Sequence, residues 1–153
     1  MPFSYTIDKK TRTFHFATGD SPTVAVQMPE FTAPYVLRLS SDCKCAAFKK
    51  QVFIPIAVFL DKDYNPTRTI GEEKLSAKDP AWKLPLRVEA DIPLSEANRA
   101  DRFILIYTDG SMVGKQAGNL SVNGAHVSGS YPFFRGLAGK VRLEVIREDA
   151  PKK

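Results

Sequence analysis

A chain of 153 residues, 43% hydrophobic and 25% charged, is long enough to bury a core and too apolar for disorder to be its overall state. The formal charge of +5 comes from scattered Lys and Arg, most of them beside an acid as in IREDAPKK. It forms neither the basic stripe nor the module signature of a nucleic-acid binder, and no stretch approaches the roughly 20 apolar residues of a membrane-spanning helix.

The opening MPFSYTIDKKTR lacks the apolar centre of a signal peptide. The chain is therefore either cytoplasmic or has lost a leader. TRTFHFA, residues 11–17, alternates with Phe14 and Phe16 on one face. TVAVQM (23–28) alternates through Val24, Val26 and Met28. PYVLRLS (34–40) points Tyr35, Leu37 and Leu39 inward and Arg38 outward. Each has the period of a half-buried strand, and Pro22, Pro29 and Pro34 mark the breaks. Cys43 and Cys45 follow. Two thiols are too few for a structural zinc site and too close for the usual redox pair. Free thiols, a local Cys43–Cys45 disulfide and a catalytic or metal role all stay open. An oxidising compartment favours the disulfide.

VFIPIAVFL (52–60) is apolar on both faces, which suits a central strand covered on both sides. Pro55 cannot donate to a ladder, so the regular part is expected at 56–60. WKLPLRVEADI (82–92) alternates through Leu84, Leu86 and Val88. LSEANRADR (94–102) is polar and makes at most one helical turn. RFILIYT (102–108) is another fully apolar run, and GKVRLEVIRE (139–148) alternates through Val141, Leu143 and Val145. Val58, Leu60, Ile104 and Ile106 are the expected core of adjacent central strands. The stretches 62–81 and 109–138 read as long loops. The second holds a hairpin candidate at SVNGAHV, where Asn123-Gly124 is a type I′ turn signal. The pattern predicts an all-β, antiparallel β-sandwich, jelly-roll-like or immunoglobulin-like. It should have about 7–9 strands and one or two short helical turns. A single domain over 1–153 is expected, with its core over about 11–148.

LDKDYNPTRTIGE (60–72) places Asp61, Asp63, Asn65 and Glu72 close to the spacing of a helix-loop-helix calcium site. Pro66 stands where that site needs glycine, and the preceding segment is a strand. The competing reading is an Asx turn. His15 and His126 lie near no nucleophile motif, and no phosphate loop or dinucleotide fingerprint is present. A hydrolytic or metal-dependent enzyme is thus the weakest alternative, and no cofactor is expected. Trp82, Tyr64, Tyr131, Phe133 and Phe134 lie in or beside loops. They are either a sugar-stacking set, which would make the protein a carbohydrate-binding module, or rings closing the ends of the sandwich.

The order SPTVAVQMPEFTAPYVLRLSS, VFIPIAVFLDKDYNPTRT, DRFILIYTDGSMVG and GLAGKVRLEVI resembles the maltose operon periplasmic protein (MalM) family over roughly residues 14–147. The carrying positions are Pro22 and Pro29, then Leu37, Leu39 and Ser41. Val52, Phe53, Pro55, Leu60, Asp61 and Pro66 follow, and Tyr107 and Thr108 close the set. The resemblance implies a periplasmic protein whose leader has been removed, associated with maltose and maltodextrin uptake. It does not imply an enzyme, and the leading reading is a non-enzymatic binding or interaction module, with a maltodextrin or an envelope protein or peptidoglycan as partner. It also implies that Asp61 caps a turn and that Glu72 is coincidental. The missing leader, the missing low-complexity tail of some members and the Cys43-Cys45 pair depart from the family pattern.

Overall fold

The computed structural model describes residues 2–7, 11–17, 19–44, 51–78, 86–123 and 128–146, with backbone alone for 2–4, 44, 117–123 and 128–133. It is an all-β sandwich. The strands are β1 (Pro2–Ile7), β2 (Thr13–Phe16), β3 (Gly19–Pro22), β4 (Val24–Gln27), β5 (Tyr35–Lys44), β6 (Gln51–Val52) and β7 (Ile56–Leu60). They continue with β8 (Pro66–Ile70), β9 (Ser76–Lys78), β10 (Arg87–Leu94), β11 (Phe103–Tyr107), β12 (Gln116–Asn123), β13 (Ser128–Arg135) and β14 (Gly139–Ile146). The larger sheet runs β1-β14-β5-β6-β13-β12, with β10 on the other side of β5 and β9 outside β10. The smaller sheet runs β4-β11-β7-β8, all antiparallel, and β2-β3 form a separate hairpin.

Alternation builds the core. Leu37 and Leu39 of β5, Ile92 and Leu94 of β10, and Val141 and Leu143 of β14 face Ala57 and Phe59 of β7 and Ile104 and Ile106 of β11. Full burial of each large side chain contributes about 1.5–3 kcal/mol. Phe53 and Phe59 are the largest completely buried side chains. A second cluster of Val52, Ile54, Leu86 and Val88 closes the far end of β10.

The chain outstrips the expected strand count. The stretch 62–81 contains β8 and β9, and 109–138 contains the hairpin β12–β13, so neither is a loop. That hairpin pairs Asn123 with Ser128. Its connection, including Gly124 and His126, lies outside the described residues. Among the described residues three single turns of 3-10 helix appear, at Glu72–Lys74, Glu96–Asn98 and Gly110–Met112, one more than the upper expectation. The regular part of 52–60 begins at Ile56, directly after buried Pro55. Two side chains differ from expectation. Val58 points to the outer face while Ala57 and Phe59 fill the core, and Phe14 is 48% exposed.

Candidate binding surfaces

The turn joining β7 to β8 is an Asx turn. The Asp61 carboxylate accepts the N–H groups of Asp63 and Asn65, each at 2.9 Å. The Asp61 N–H donates to the Asn65 carbonyl at 3.0 Å, and the Tyr64 N–H donates to the Asp61 carbonyl at 3.0 Å. The hydrogen bond from the Asn65 N–H is the first cause that holds the Asp61 carboxyl below its ordinary range. Glu72 lies elsewhere, on a 3-10 turn, where both its oxygens accept from the guanidinium of buried Arg135. Asp61, Asp63, Asn65 and Glu72 therefore do not converge. Among the described residues no three His, Cys, Asp or Glu are grouped to hold a metal.

Opposite this turn stands the connection from β10 to β11, shaped by a capping box between Ser95 and Asn98. Between the two lies an open cleft of about 470 Å³. Asp61, Lys62 and Asp63 line one wall, and Glu96, Arg99 and Arg102 the other. Arg99 pairs with Glu96 at 2.7 Å, and Arg102 donates to the Arg99 carbonyl at 2.7 Å. The cleft offers donors and acceptors of both signs on largely exposed side chains.

The two outer faces of the sandwich are unlike. On the larger sheet the outward face of β10, β5 and β14 carries a set of ion pairs. Arg38 Nε and Nη2 donate to the two Asp91 oxygens at 2.8 and 3.1 Å, Arg87 pairs with Glu89 at 3.1 Å, and Arg142 with Asp42 at 2.7 Å. The Arg38 hydrogen bonds are the main reason the Asp91 carboxyl titrates below its ordinary range, against an opposing effect of burial.

Because folding depresses both acids, Asp61 and Asp91 add stability above the unfolded carboxylate pKa of about 3.9 and lose it as pH falls through their folded values. Thermal melts should therefore drop on acidification below about pH 4. Asp91→Asn should melt slightly lower at neutral pH and show a shallower acid limb. An acid limb identical to the parent's would contradict that assignment.

The outer face of the smaller sheet carries no charge at its inner strands. Phe103, Leu105 and Tyr107 of β11 lie beside Ile56 and Val58 of β7, with Ala25 and Gln27 on one side and Thr69 on the other. Tyr64 stacks on Phe103 with ring centroids 5.0 Å apart, and Phe16 on Tyr107 at 4.0 Å and 10° between planes. The β2–β3 hairpin that bears Phe16 fits close against the Gly110–Met112 turn, where a Cβ on Gly110 would collide with the Asp20 carbonyl. On the hairpin, His15 Nδ1 lies 2.6 Å from an exposed Asp20 oxygen.

Of the five ring residues singled out in the sequence, Tyr64 is 67% exposed and Phe134 is half-buried at the Gln116 end of β12–β13. Trp82 lies outside the described residues, and of Tyr131 and Phe133 only the backbone is described. The structure adds Phe103 and Tyr107, whose signal in the sequence was the apolar character of both faces of 102–108, and Phe16, read in the sequence only as part of the alternating segment 11–17. Cys43 is disulfide-bonded, and Cys45 lies outside the described residues.

These features define an all-β sandwich with one outer face charged and the other apolar. The chain belongs to the family described as maltose operon periplasmic protein precursor (MalM), whose model matches residues 18–118, more than half of its length. The matched span takes in β3 to β11 and the cleft, begins after Phe16, and ends within β12, before β13 and β14. Searches of curated proteins and of solved structures found no match.

Proposed function

We propose that this protein is a non-enzymatic binding module of the periplasm, acting as one unit beside the uptake of maltose and maltodextrins. The observation that carries the reading is the ligand-sized polar cleft between the 61–65 turn and the 95–102 connection. Three observations support it further. The family description names the maltose operon and the periplasm. Several acids elsewhere on the sandwich are engaged by bases, as Glu72 is by Arg135 and Asp42 by Arg142. No helix among the described residues is long and apolar enough to cross a membrane. An oxidised Cys43–Cys45 pair fits that compartment.

Isothermal titration with maltodextrins of several lengths tests the reading. Saturable heat with a Kd between about 1 μM and 1 mM is expected, and chromatography should return the sugars at unchanged length. Steady shortening of the sugar would refute the non-enzymatic assignment. Silence across all lengths would remove maltodextrin as the ligand and leave an envelope protein or peptidoglycan to be tried by cross-linking.

A further inference from the structure

We propose that the outer face of the β4-β11-β7-β8 sheet is a docking platform for a neutral oligosaccharide chain laid along β11. The inference rests on the binding reading for its ligand class, and extends the contact from the end cleft onto the sheet face.

The exposed face of an antiparallel sheet normally carries polar side chains, because water covers it. Here β11 and β7 present apolar side chains on both faces, and among the described residues the outer one is overlaid at its two ends by the Tyr64 turn and the β2–β3 hairpin. The two aromatic stacks stand at the two ends of β11. Phe103 and Tyr107 are four residues apart on one face, roughly 13 Å at about 3.3 Å per residue. Aliphatic Leu105 and Val58 lie between them. A sugar chain offers flat C–H faces at intervals to such rings and turns its hydroxyls sideways. Gln27 and Thr69, uncharged donors and acceptors, flank the strip on the two outer strands. The absence of charge along the strip argues against an acidic or basic polymer.

Tyr64 supplies the independent observation. Its φ of 65° lies in the left-handed region, where Gly or Asn costs least. A tyrosine there is strained, and strain of this kind gathers at functional positions. The strained backbone holds a mostly exposed ring over Phe103, with 27° between the two planes. A second copy of this chain is the poorer occupant. The face offers only a handful of outward side chains, most already half-covered by their neighbours, against the roughly 20–30 residues a side of a standard protein interface.

The test titrates maltodextrin into the parent protein and three variants. Tyr64→Gly removes a ring and relieves strain. Phe16→Ala removes a ring at the end remote from the cleft. Arg99→Ala alters the cleft and a contact with the Phe31 ring, and leaves the two aromatic stacks in place. The platform predicts roughly tenfold weaker binding for each ring variant, the loss of about one stacking contact, and a smaller loss for Arg99→Ala. Loss confined to Arg99→Ala would overturn the platform while leaving the binding function standing. No binding by the parent, together with a dimer in solution that Tyr64→Gly dissociates, would overturn it in favour of a second copy.

Discussion

Ile104→Asp is expected to abolish folding. Ile104 is 2% exposed at the centre of β11, and Val26, Met28, Leu37 and Leu143 line the narrow crevice beside it. None of these can solvate or pair with a carboxylate. An unpaired buried charge costs several kcal/mol, and total stability in a domain of this size is about 5–15 kcal/mol. The variant should be insoluble or lack a cooperative melt. Two controls make the result specific. Ile104→Val should cost about 0.5–1.5 kcal/mol. Val58→Asp, one strand away but on the outer face, should remain folded at a cost of about 1–2 kcal/mol. A soluble Ile104→Asp with the parent's melting curve would mean that the faces of β11 are reversed.

Asp101→Ala is expected to lower stability by about 3 kcal/mol. The Asp101 carboxylate is 2% exposed and lies 3.4 Å from Arg68 Nε, while the Thr67 hydroxyl donates to its other oxygen. Arg68 also lies over the Phe59 ring at 4.4 Å and donates to the Pro93 carbonyl at 3.3 Å. The group thus ties edge strand β8 to the 95–102 connection and to β10 of the facing sheet. Removing the acid leaves the Arg68 guanidinium in its half-buried place without its counter-charge. Breaking such a pair costs more than the pair itself contributes, because the surviving charge stays desolvated. The double change Arg68→Met with Asp101→Leu should therefore recover most of the loss in urea unfolding. A double variant no more stable than Asp101→Ala would show that the carboxylate does not act through Arg68.

The alternating strands were legible because one face is wet and the other dry. Tyr35, Leu37 and Leu39 declare the phase of β5, and Val141 and Leu143 that of β14. The phase of β7 was not legible for the opposite reason. Ile56, Ala57, Val58, Phe59 and Leu60 are all apolar, so alternation carries no information and Val58 was assigned to the wrong side. The short edge strands β8 (PTRTI) and β9 (SAK) read as loop because edges carry charge and Pro, which blunt pairing with other chains. Part of the candidate site was also visible. Tyr64 was recognisable as a ring in a turn, and the Asp61 turn as an Asx turn. Its left-handed backbone was not, since tyrosine is no signal for that conformation. The Phe16–Tyr107 stack depends on where the β2–β3 hairpin is held, and that is decided by a close approach at Gly110 which only the folded chain reveals. The cleft joins segments more than thirty residues apart in the chain, so no local spacing announces it.

The central claim is that this sandwich holds a neutral sugar without turning it over. The measurement that tests it most directly is an amide NMR titration of the isotopically labelled protein with a maltodextrin, followed over days. The account predicts saturable shifts gathered on residues 61–64 and 96–107, with the charged face of β5 and β10 silent and the sugar resonances unchanged. An unperturbed spectrum at saturating sugar, or new reducing ends appearing with time, would contradict it.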